Sequence, residues 1–162
     1  MNPDRPSSAY ASRFEQWDRT SWVRSKPHRM APFEANLTFY SESLATLFAH
    51  PTIMNADDET RRNLLVLHLY NYLEFTVWLE LGPVNEVCDL IRRDDFLSWL
   101  PPQMKDDAFK IYVDEAGHAE MSHALMRATE ENTGVKPVRI RPAFLKTLDQ
   151  LVESEEPEFA SL

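Results

Sequence analysis

Residues 111–125 read IYVDEAGHAEMSHAL, and the way this stretch is wound decides the fold. At 100° per residue, with Glu115 at zero, Met104, Ala108, Ile111, Tyr112, Ala119, Ser122 and Met126 all fall within about 60°, and His118 falls there too. Lys105, Asp106, Lys110, Asp114, Glu120, Arg127 and Glu131 lie outside that sector. The spacing predicts a helix over residues 103–132 whose least charged stripe faces a core. That stripe carries a carboxylate and an imidazole three positions apart.

Working outward, Pro101-Pro102 introduces this helix and Gly134 stops it. Upstream, Asn55, Asp57 and Asp58 offer capping oxygens for a helix from about residue 59 past Leu81. Gly82-Pro83 is expected to kink or break it before VNEVCDLIRR resumes helical spacing. A further helix is expected over residues 35–49, with Leu37, Tyr40, Leu44, Leu47 and Phe48 on one face, ended by Pro51. Residues 1–32 read as a mostly irregular, proline-punctuated arm anchored by Phe14, Trp17 and Trp22, and residues 33–162 as the helical body. Beyond Gly134, VKPVRIRP is expected to be a basic loop, AFLKTLDQLVE a helix and EEPEFASL the first turn of another.

Three glycines in 162 residues, with no strand-length alternation and no Asn-Gly hairpin signal, give an all-α class and a single domain. The most apolar stretch, NLLVLHLYNYLEFTVWLELGPV, is interrupted by His68, Asn71, Glu74 and Glu80, so it reads as a core helix and not as a membrane span. With 26 acidic against 17 scattered basic side chains and a net charge of -9, nucleic acid is not an expected partner. Cys88 has no second cysteine to pair with, and MNPDRPSSAY lacks the basic start and apolar run of a signal peptide, so a cytoplasmic location is expected.

Burying a carboxylate and an imidazole beside methyl groups costs several kcal/mol unless a partner compensates, and a multivalent cation is the strongest one. In ferritin-like carboxylate bundles two helices each contribute a Glu-x-x-His pair and two others one Glu each. Glu115-Ala116-Gly117-His118 fits the first role. For the second, Glu80 is preferred because Leu69, Leu73, Thr76, Val77, Val84 and Val87 surround it on the wheel; Glu74, about 120° away, is the alternative. A competing reading pairs Glu115 with an arginine such as Arg62 and makes His118 a hydrogen-bonded core histidine. His68 and His123 fall off these stripes and are assigned to packing or surface, Tyr70, Tyr72, Phe75 and Trp78 to the core, and Cys88 lacks a cationic cluster that would activate its thiol.

The segments FYSESLATLFAHP, RRNLLVLHLYNYLEFTVWLELGPVNEV, AFKIYVDEAGHAEMSHALM and RPAFLKTLDQL, in that order, resemble the di-iron arylamine N-oxygenases, ferritin-like enzymes typified by p-aminobenzoate N-oxygenase. The resemblance implies a ferritin-like helical bundle in which Glu80 is the first glutamate ligand, Glu115 the bridging or first-pair glutamate and His118 its histidine. It implies an oxidoreductase that uses O2 at two irons, with electrons from an external donor, to convert an aryl amine through the hydroxylamine towards the nitro compound. The family chain is roughly double this length and its remaining ligands lie beyond Leu162. The chain is therefore expected to be the N-terminal half of such a domain, truncated from a longer frame. The alternative is a non-catalytic helical remnant, in which a homodimer or a complementing C-terminal half supplies the missing metal ligands.

Overall fold

The computed structural model describes residues 10–27, 32–34, 37–93, 98–138 and 146–147. Within them lie two one-turn helices, α1 (Trp17–Thr20) and α2 (Trp22–Ser25), a short α3 (Pro51–Met54), and the long α4 (Asp58–Leu79). A wide π-type turn, Glu80–Val84, joins α4 to α5 (Asn85–Arg92), and α6 (Pro102–Thr133) runs for 32 residues. No strand occurs among the described residues, and the class is all-α as expected. The first residues of the predicted basic loop, 135–138, are non-helical and residues 146–147 of the predicted helix after it are helical; the rest of both, and the final turn, lie outside the described residues.

Local chemistry explains the helix ends. Asp57 caps α4, its Oδ1 accepting from the Thr60 N–H at 2.8 Å and its Oδ2 from the Thr60 hydroxyl at 2.9 Å, while Asp58 and Glu59 complement the dipole. α6 starts on Pro102, whose missing N–H is harmless in a first turn, and stops at Gly134, which takes the left-handed φ of 71° and donates to the Glu130 carbonyl at 2.9 Å. At the junction of α4 and α5, Gly82 leaves helical geometry (φ -96°, ψ -105°) ahead of Pro83.

α4, the wide turn and α5 form a bent rod that lies antiparallel along α6. The Tyr70 hydroxyl donates to the Val135 carbonyl at 2.8 Å, and Leu65, Val66, Tyr70 and Leu73 bury against Met126 together with Phe39, Ala45 and Phe48. This core sits where the first half of α4 meets the last turns of α6.

Three local expectations are corrected. In place of a helix over residues 35–49, the described part forms two 3-10 turns, Glu42–Leu44 and Thr46–Ala49, separated by extended Ala45. The side chains that reach the core, Phe39, Ala45 and Phe48, share no helical stripe, and Leu44 and Leu47 are exposed. Burying the first set requires the chain to bend. Pro51 consequently begins α3 instead of ending a helix. In the arm, Phe14 and Trp17 are half-buried as expected, but Trp22 is exposed, its ring covered on one face by Lys26 at 5.4 Å. Buried Ser21 takes the anchoring role.

The arm follows one flank of α6 in register. Tyr10 donates to Asp107 Oδ2 at 2.8 Å, Lys110 donates to the Phe14 carbonyl at 3.4 Å, and Asp114 accepts from Trp17 Nε1 at 2.7 Å and Ser21 Oγ at 2.6 Å. Burial opposes ionisation of Asp107, but hydrogen bonds from Lys110, Ser12 and Tyr10 and the lysine's charge outweigh it and hold the carboxyl below its ordinary range. A depressed carboxyl pKa contributes stability that is complete above the unfolded value and lost as pH falls through the folded one. In urea unfolding, wild type should exceed Asp107→Asn by about 1–2 kcal/mol at neutral pH, and the gap should close as pH drops below about 4.

Candidate metal centre

The kink at Gly82-Pro83 and the straight run of α6 bring Glu80, Glu115 and His118 together, one ligand atom of each lying within 4.8 Å of the others. Glu115 Oε2 and His118 Nδ1 are 2.7 Å apart, the i, i+3 spacing stacking them on adjacent turns. Glu80 reaches them from the first residue of the wide turn. Burial, then the hydrogen bond to Glu115 and that group's charge, push the Glu80 carboxyl above its ordinary range, and His118 partly opposes this. Two carboxylates crowded in this way require a proton or a cation between them.

The donor set itself fits a metal ion. Hard carboxylate oxygens and a borderline imidazole nitrogen suit first-row divalent ions, iron and manganese among them. The three residues singled out from the sequence are the three that converge. Glu74 is exposed and outside the cluster, and the competing partner Arg62 instead stacks over Phe39 at 5.2 Å. His68 packs between Tyr40 and Phe48, with ring centroids at 5.7 and 6.4 Å. Cys88 is buried, and burial, followed by the Glu115 charge, raises its thiol pKa away from the reactive range.

One expectation needs correction. The stripe of α6 is not uniformly inward: Ala108, Ala119 and Met126 are buried, but Tyr112 is exposed and the His118 side chain is 50% exposed, against 21% for Glu115. His118 projects from the seam between the flank packed on α4 and α5 and the flank covered by the arm. Lys110 and Asp114, which the wheel places outside the uncharged stripe, bind that arm. Helical phase alone does not mark Gly117, which lies against Val23, or buried Asn85, although a glycine inside a long helix is a signal of close approach.

A protein-family model described as p-aminobenzoate N-oxygenase AurF matches residues 7–162, most of the chain. The chain belongs to the p-aminobenzoate N-oxygenase family. No curated protein and no solved structure matches it significantly. The family is a di-iron helical one, in agreement with the all-α architecture and with a Glu/Glu/His cluster able to hold a metal. No helix among the described residues is long and apolar enough to cross a membrane.

Crowding of the two carboxylates yields a prediction for the metal-free chain. Glu80→Gln retains an amide able to donate to Glu115 and removes one negative charge, so it should stabilise the chain by about 1 kcal/mol in urea unfolding with a chelator present.

Proposed function

We propose that the chain contributes Glu80, Glu115 and His118 to the di-iron centre of an oxygenase that inserts oxygen into the nitrogen of an aryl amine. The observation that carries this reading is the convergence of these three donors, from two helices, in a member of the p-aminobenzoate N-oxygenase family. When bound, the irons supply O2 activation. The overall change from amine to hydroxylamine balances as amine, O2, two electrons and two protons giving hydroxylamine and water, and an external donor supplies the electrons.

The residues of this chain have separable tasks in that scheme. Glu80 and Glu115 provide the anionic oxygens that favour the oxidised metal, and His118 the neutral nitrogen that keeps the reduced state accessible. Glu115 also holds the His118 ring through Nδ1, so its orientation is set before any ion arrives. The half-exposed imidazole marks the side from which further ligands and the substrate approach.

The same count supports a statement about assembly. Among the described residues, one lone glutamate and one Glu-x-x-His pair make half of the set a four-helix di-iron site uses. We infer that the second half comes from another copy of the chain in a homodimer or from complementing polypeptide. A two-fold axis beside His118 would double the three donors into the full set.

Anaerobic Fe(II) titration tests the ligand assignment. Glu115→Ala and His118→Ala should abolish uptake in the assembled protein, whereas Glu74→Ala should retain it. Equal iron retention in all three variants rejects the assignment. With iron, a reductant and an aryl amine, 18O2 should label the hydroxylamine oxygen, and the absence of label would sink the oxygenase reading.

A further inference from the structure

The arm meets α6 at the two residues that adjoin the metal-binding pair. Asp114, next to Glu115, accepts from Trp17 Nε1 at 2.7 Å and from Ser21 Oγ at 2.6 Å. Gly117, next to His118, lies so close to Val23 that an added Cβ would stand 2.8 Å from Val23 Cγ1 and 3.2 Å from Cγ2. On the wheel Asp114 and Gly117 fall within roughly 60° of one another, on the flank facing away from Glu115, with His118 between that flank and the donor cluster. The buried hydroxyl of Ser21 and the absence of a side chain on Gly117 are therefore two parts of one contact.

We propose that the N-terminal arm is the positioning element of the metal centre: Trp17, Ser21 and Val23, seated on Asp114 and Gly117, fix the rotation of α6 that delivers Glu115 and His118 to Glu80. α6 also packs on α5 and the wide turn at this level, but its buried side chains there are small, such as Ala119, and its large apolar contacts lie in the distant core around Met126. Two hydrogen bonds to one carboxylate and a close methyl contact one turn on define an orientation that hydrophobic packing, being non-directional, does not. The proposal rests on the metal reading above for its consequence, but its structural content, the placement of the His118 ring, is independent of any ion.

The test uses the full chain. Gly117→Ala should push Val23 off α6 without weakening the helix, since alanine is the better helix former. Asp114→Asn should weaken both hydrogen bonds while keeping the side chain's size. In the metal-free protein, the 15N resonances of the His118 ring report its bond to Glu115; they should move in both variants and return to the wild-type positions in Gly117→Ala/Val23→Ala. Co(II) titration should show about tenfold weaker binding in both single variants and recovery in the double one, the scale expected when a group supporting a ligand is lost. A wild type that fails to bind Co(II) would reject the metal reading alone, and the ring resonances would still judge the arm. Ring resonances unchanged in both single variants, or no recovery in the double variant, overturn the proposal.

Discussion

Drawing two carboxylates and an imidazole to within 4.8 Å between a kinked helix and a straight one is the constraint to which the neighbouring structure answers. Like charges ~4–5 Å apart repel by about 3–4 kcal/mol at an effective dielectric constant of 20. Water around the half-exposed imidazole lowers that figure and His118 opposes it in part, while Arg61 and Arg62 are engaged elsewhere, over Phe48 and Phe39. A sequence under selection for stability alone would place an amide or an apolar side chain at residue 80. The carboxylate is intelligible as one side of a binding site whose other side is a cation.

Glu80 arrives at this site because α4 fails in a controlled way. Pro83 has no N–H to return to Leu79, so the hydrogen-bond ladder must slip, and it does so over Glu80–Val84, where the Glu80 N–H already reaches both the Thr76 and Val77 carbonyls. Gly82 takes backbone angles outside the helical range and absorbs the change of direction. The wide turn keeps the rod continuous, so α5 still packs on α6 and buries Cys88. Wide turns of this kind within helices commonly mark functional positions because they re-aim one side chain without ending the element.

Much of this was legible in the residues. The long helices, the cap at Asp57, the kink at Gly82-Pro83 and the stop at Gly134 each rest on short-range chemistry that the sequence states directly. The choice of Glu80 over Glu74 followed from helical phase, and phase survived because the loosening starts at Glu80 itself. The region before Pro51 was misread because helical periodicity assumes one axis, and Phe39, Ala45 and Phe48 reach the core only when the chain bends. The wheel of α6 failed for a different reason. It has two packed flanks, and the one receiving the arm is polar: Lys110 and Asp114 lie outside the uncharged stripe yet are packed, because the arm supplies an acceptor to the lysine and donors to Asp107 and Asp114. Such pairing across more than ninety residues has no local signature; the glycine at position 117 was its one visible trace.

The two ends of the helical body are consequently held by different physics. Around Val66, Tyr70 and Met126, large apolar side chains close on one another, and Val66 is fully buried. Around Glu80 and Glu115, α6 presents small buried residues such as Ala108 and Ala119 and, at its flank, carboxylates hydrogen-bonded to the arm. Apolar burial stabilises without specifying an exact rotation, whereas hydrogen bonds fix geometry at a small net gain in stability. A cluster that holds two carboxylates and an imidazole in register is better served by the second kind of contact. Under the proposed metal reading, the free energy of ion binding would add to the stability of this end of the fold, where two crowded carboxylates oppose folding in the ion's absence.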